Sequence, residues 1–216
     1  MNHEGSSISQ AFLDSIQPVV LVGGKSRRFG RDKLVEPWNG KLLVQYPIDA
    51  LRGVFGARVK VVGECDPRVP TLADGMISDL HPGVGPIGGI LSAFDLWNGP
   101  LFVLAGDMPS VASADIRLLV AAAQQNDPAA AVLALTDRVH PCFGFYRSTA
   151  RPALLSCLNR RELRLAGAIP EPLVATIAVS RDSAANVNCQ ADCGVPSERS
   201  DLNTLWRRRE TTVPPR

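Results

Sequence analysis

The chain has 216 residues, enough for one sizeable core and at most two domains. Its 45% apolar and 20% charged residues suit a soluble globular protein, and a net charge of +2 supplies no basic field that would draw nucleic acid. No run of roughly 18 apolar residues is available to span a membrane, and the opening MNHEGSSISQAFLDSIQ lacks the basic and apolar regions of a signal peptide.

The first predicted element is PVVLV (18–22), an apolar run without polar alternation, which reads as a strand buried on both faces. Helical spacing follows over 42–51, then a second strand over 57–63. GVGPIGGI (83–90) is a glycine-rich loop opening a helix over 88–97, and PLFVLAGD (100–107) is a third strand that stays apolar until its aspartate. The helix 113–125 has Ser113 as its expected N-cap. Strands over 129–135 and 142–147, a helix over 149–158 and a last strand over 173–179 complete the series. Alternating strands and helices predict an α/β fold: one mostly parallel central sheet with helices on both faces. The expected domain runs from 16 to 206, with flexible termini at 1–15 and 207–216. In such a sheet, ligands bind along the edge formed by the carboxyl ends of the strands.

Directly after the first strand stands LVGGKSRRFGRDK (21–33), a glycine pair followed by a cluster of cations. It is not a Walker A loop, because the lysine comes three residues after the last glycine, nor does it match G-x-G-x-x-G of the dinucleotide folds. The second mismatch disfavours an NAD-dependent oxidoreductase. Glycines let backbone N–H groups approach a polyphosphate, and Lys25, Arg28 and Lys33 can neutralise its oxygens; the competing reading is a solvated basic turn. Asp107, at the carboxyl end of a buried strand, reads either as a metal ligand or as a turn or capping aspartate. Ser113 already offers the cap, which favours the metal, and a single carboxylate suffices for Mg²⁺ when phosphates and water complete its shell. Five scattered cysteines (Cys65, Cys142, Cys157, Cys189, Cys193) lack paired zinc spacing and read as reduced thiols of a cytoplasmic protein.

Taken together, these motifs resemble a known family. The first loop is similar to the nucleotidyltransferase signature L-A-G-G-x-S-x-R-M-G-x-x-K. Ile77-Ser78-Asp79, Gly85-Pro86-Ile87-Gly88-Gly89-Ile90, Ala105-Gly106-Asp107-Met108-Pro109, His140-Pro141, Tyr146-Arg147 and Asn186-Val187-Asn188 follow in order. The set resembles molybdenum cofactor guanylyltransferase, the molybdopterin-guanine dinucleotide biosynthesis protein A family of the nucleotidyltransferase superfamily, over about residues 20–190. Val22 and Phe29 replace the commoner Ala and Met of the signature, and Val61-Val62-Gly63-Glu64 lacks an Asn that some members place against the nucleotide.

The resemblance implies a single-domain Rossmann-like nucleotidyltransferase fold, with GTP and molybdopterin as substrates and Mg²⁺ as cofactor. It implies that Leu21, Gly23, Gly24 and Asp79 contact the nucleotide. Lys33 and Arg28 would meet its phosphates, and Asp107 the metal. Asn186 and Asn188 would lie near the metal and the pterin phosphate, with His140 and Arg147 towards the pterin. Molybdenum cofactor pathway proteins and acceptor molybdoenzymes are the implied partners. The chemistry would be attack of the pterin's terminal phosphate on the α-phosphate of GTP, for which cations matter more than a general base. The rivals are a related enzyme using CTP or another phosphorylated acceptor, such as a sugar phosphate or cobinamide phosphate, and a non-catalytic carrier on the same fold.

Overall fold

A computed structural model describes residues 7–23, 32–126 and 128–187. Residues 10–15, expected to be part of a flexible terminus, form α1 (Gln10–Ser15), capped by the Ser9 hydroxyl accepting from Phe12 N. Leu13 is buried and Phe12 stacks on Phe145 at 5.8 Å, so the helix belongs to the core.

Strand β1 (Gln17–Leu21) lies inside the sheet, paired on both edges. After it come the short hairpin β2 (Pro37–Trp38) and β3 (Lys41–Leu42), α2 (Gln45–Phe55), β4 (Lys60–Val62), α3 (Arg68–Leu72) and β5 (Met76–Ile77). The second half holds α4 (Pro86–Leu96), β6 (Leu101–Ala105), α5 (Ser113–Gln125), β7 (Ala131–Leu135), β8 (Val139–Tyr146), α6 (Arg151–Asn159) and β9 (Val174–Ala178). Among the described residues, seven strands form one sheet in the order β5-β4-β1-β6-β8-β7-β9. All neighbours are parallel except β8, which runs antiparallel to both β6 and β7.

Alternation along the central strands divides the core. Val20, Phe102, Leu104, Val132 and Phe143 face α1, α2 and α5, whereas Val19, Leu21, Leu101, Val103 and Leu133 face α4 and α6. Both sets are buried, which is why these strands show continuous apolar runs. Phe102 packs against Phe55 at 5.6 Å and Phe143 at 6.4 Å, each pair contributing about 0.5–1.5 kcal/mol beyond its area.

Two local readings change. Ser113 is the first residue of α5 and not its cap: Ala112 occupies that position, its N–H donating to Ser183 Oγ, while the Ser113 hydroxyl donates to Ala50 O and ties α5 to α2. The β2–β3 hairpin had no predicted counterpart. Its turn is Asn39-Gly40 with φ of 42° and 87°, the left-handed pair that closes a two-residue hairpin, and the Tyr46 hydroxyl donates to Trp38 O at 2.6 Å to hold it.

Candidate active site

The sheet register sets the level of the site. Leu21 pairs with Val62 on one side and Ala105 on the other, and Val62 pairs with Ile77. The carboxyl ends of β1, β4, β5 and β6 therefore align, and the residues just past them (Gly23, Gly63, Asp79, Asp107) line one edge. Because β8 is antiparallel, with Phe143 opposite Leu104, its start brings His140 and Cys142 to the same edge.

Gly23 and Gly63 touch there. Gly63 has φ of 121°, and a Cβ on it would lie 2.4 Å from Gly23 N and 2.6 Å from Gly23 Cα. Val22 N donates to Val62 O, fixing the start of the first loop against the end of β4. Gly63→Ala is expected to cost about 3 kcal/mol or more of stability, from the left-handed strain plus a backbone clash. A urea midpoint lowered by less than about 1 kcal/mol equivalent would contradict this close approach.

Lys33 opens a short 3-10 helix, Lys33–Val35, whose N-cap Asp32 accepts from Leu34 N at 3.0 Å and from Asp66 N at 2.8 Å. Leu34 packs over Gly106, whose N–H donates to Leu21 O. These ties aim the lysine at the end of β6. Its Nζ lies 2.5 Å from Asp107 Oδ2 and donates to Val187 O at 2.9 Å. Asn186 Nδ2 donates to the other oxygen, Asp107 Oδ1, at 3.0 Å, and Val187 N donates to Asp107 O. Lys33 and Asp107 are partly buried, with side chains 20% and 15% exposed, so the charges sit in a medium that strengthens their interaction. A lysine, a carboxylate and an amide from three distant segments thus meet at one point.

Asp79 sits beyond β5, its Oδ1 accepting from His81 N at 2.9 Å and lying 3.1 Å from Ser92 Oγ. The buried Ser92 hydroxyl also donates to Gly88 O and accepts from Leu80 N, so α4 fixes the loop carrying Asp79. Leu21 is buried in β1 under α4. His140 is half-buried beside Thr136, 2.7 Å from its hydroxyl; burial, and secondarily the charge of Arg138, lowers its pKa. Burial, then the negative charge of Asp107, pushes the Cys142 thiol up to about 12, which makes it no nucleophile.

Arg147, expected towards the pterin, is elsewhere. It follows Tyr146, which pairs with Leu101 at the amino end of β6, so it lies at the opposite edge of the sheet. Its guanidinium donates to Ala129 O and Ala123 O and stacks over Phe145 at 5.2 Å, closing the carboxyl end of α5. That is a structural role. Gly24, Arg28 and Asn188 lie outside the described residues.

A profile of the MobA-like NTP transferase domain matches residues 18–171, most of the chain. The chain belongs to this family. It is 29% identical over 202 residues to a probable molybdenum cofactor guanylyltransferase of Bacillus subtilis, covering 86% of this chain and 89% of that one. A protein of the same description from Pyrococcus horikoshii is 32% identical over 185 residues, covering 80% and 94%. Among solved structures, molybdopterin-guanine dinucleotide biosynthesis protein A from Archaeoglobus fulgidus superposes with a TM-score of 0.67 at 25% identity, covering 82% of this chain and 94% of that one. This MobA-like chain is thus a nucleotidyltransferase, with the α/β single-domain fold of its relatives.

The donor set of this MobA-like site also bears on a metal. Among the described residues no group of three or more His, Cys, Asp or Glu side chains could hold an ion alone. One carboxylate, Asp107, with Asn186 beside it, fits an ion that takes most of its shell from phosphate oxygens and water, as Mg²⁺ does. None of the described helices is long and apolar enough to cross a membrane.

Proposed function

We propose that this chain transfers GMP from GTP to the terminal phosphate of molybdopterin, releasing pyrophosphate and forming molybdopterin guanine dinucleotide, in the cytoplasm and with Mg²⁺. The observation that carries the reading is the meeting of Lys33, Asp107 and Asn186 at the sheet edge. Support comes from the guanylyltransferase relatives, which match across most of their length.

The reaction joins two anions. An oxygen of the acceptor phosphate attacks the α-phosphorus, the bond from that phosphorus to the oxygen bridging the β-phosphate breaks, and pyrophosphate leaves with the electron pair. The attacking monoester is already ionised near neutral pH, so no side chain need remove a proton. Gly23 approaches the phosphates, and Lys33 places a fixed positive charge where negative charge gathers. Asp107 and Asn186 would hold Mg²⁺, which supplies charge neutralisation between the reacting oxygens. Asp79, held by Ser92, faces the nucleotide half of the edge. His140 stands on the acceptor half, and Arg28, Gly24 and Asn188 keep the roles that the resemblance assigns them. Molybdenum cofactor pathway proteins and acceptor molybdoenzymes are the partners this product requires.

Base choice separates this reading from a CTP-using relative. With Mg²⁺ and GTP at about one hundred times its dissociation constant, stabilisation of about 2.7 kcal/mol is expected, seen as a Tm rise of roughly 5–10 °C. CTP at the same concentration is expected to give a much smaller rise. Equal or greater stabilisation by CTP would overturn the guanine assignment.

A further inference from the structure

We infer that Arg138 and Arg181 form the clamp that holds the acceptor's phosphate beside Asp107. A cavity of about 400 Å³ opens between the β7–β8 turn and the segment after β9, lined by Thr136, Asp137, Arg138, His140, Arg181 and Asn186, among others. Its volume falls in the range of small-molecule sites. One wall is shared with the reaction centre, because Asn186 also donates to Asp107 Oδ1. In the sheet order, β1, β4 and β5 carry Gly23, Gly63 and Asp79 on one side of β6, whereas β8, β7 and β9 carry this cavity on the other. A nucleotide seated over the first group leaves the second for the molecule that attacks it.

The charges suit an anion. Arg138 and Arg181 are exposed, and neither forms a salt bridge among the described residues. Among the described residues, Asp137 is the one carboxylate lining the cavity; both arginines act on it electrostatically, and its carboxyl is held below its usual range first by the Thr136 hydroxyl. Two cations against one anion leave a net positive charge, and the lowered pKa of His140 keeps that ring neutral near pH 7. A guanidinium matches the oxygens of a phosphate monoester in geometry as well as charge. The turn after β7 and the turn after β9 each deliver one arginine, so the pair can grip a phosphate from two sides.

The proposal rests on the transfer reading above, and two measurements keep them separable. In steady-state assays, Arg138→Ala and Arg181→Ala are each expected to raise the acceptor KM roughly tenfold or more, with the GTP KM unchanged and partial rescue by Lys at either position. An unchanged acceptor KM, or a parallel rise in both KM values, would overturn the clamp. The second measurement titrates inorganic phosphate into protein saturated with a non-hydrolysable analogue of whichever nucleoside triphosphate stabilises it. Wild type is expected to bind phosphate, and the double variant Arg138→Ala/Arg181→Ala to lose at least tenfold in affinity. If the wild type binds no phosphate, or the double variant binds it equally well, the clamp fails. If the arginines govern phosphate binding but molybdopterin is never guanylylated, the clamp stands and the acceptor assignment falls.

Discussion

Asp107→Ala is expected to reduce pyrophosphate release by roughly a thousandfold or more while the chain remains folded. The carboxylate receives Lys33 on one oxygen and Asn186 on the other, so its loss removes the charge that organises both. It also leaves the ammonium of Lys33, a side chain 20% exposed, with Val187 O as its remaining partner among the contacts described. Removing one member of a partly buried pair costs stability, here about 1–3 kcal/mol. Asp107→Asn separates the two effects. It keeps an acceptor oxygen for Lys33, so most of the stability should return, yet it lacks the negative charge that a divalent cation needs. Far-UV circular dichroism and a pyrophosphate assay on both variants make the comparison. Undiminished turnover in either would remove Asp107 from the mechanism.

Lys33→Ala is expected to lower kcat/KM for GTP by roughly a hundredfold to a thousandfold and to weaken the stabilisation by GTP. In this structure Lys33 is aimed by the Asp32 cap and by Leu34 packing on Gly106, so Lys33→Ala leaves the segment's own supports intact. Lys33→Met preserves the aliphatic bulk without the charge and should be equally inactive. If Met restored activity, the side chain would matter for packing and not for phosphate charge. Arginine is not expected to replace it fully, because a planar guanidinium does not fit where a compact ammonium meets Asp107 Oδ2 and Val187 O together.

Much of the architecture was legible in the residues. The long apolar runs at 18–22 and 100–105 could only be strands covered on both faces, and α5 follows the predicted 113–125 span residue for residue. The hairpin was missed: Asn39-Gly40 is the turn signal that could have found it, but its strands are two residues each and carry almost no periodic signal. Ser113 misled because a serine ahead of an apolar run has the same local pattern whether it caps its own helix or bonds a neighbour's carbonyl. That distinction is tertiary.

The site divides in the same way. Asp107 stands just past the end of β6, which pairs with β1, whereas Lys33 lies well beyond the end of β1 and reaches Asp107 through its 3-10 helix, held by the Asp32 cap and by Leu34 packing on Gly106. Asn186 is 79 positions from Asp107, and only the chain's return after β9 brings it there. Arg147, assigned to the pterin side by the resemblance alone, lies at the other edge because β8 is antiparallel: a residue after a parallel strand would face the site, whereas one after β8 faces away. The same reversal puts Arg138, just before β8, on the correct edge. No spacing rule announces it, or Arg181, since neither stands in a recognisable motif.

The central claim, guanylyl transfer driven from the Lys33–Asp107–Asn186 cluster, is tested most directly by incubating the chain with molybdopterin, Mg²⁺ and each of the four labelled nucleoside triphosphates. The predicted result is a dinucleotide and an equal amount of pyrophosphate with GTP, and neither with Asp107→Ala. Preferential product from CTP, or no dinucleotide from any of the four, would contradict it.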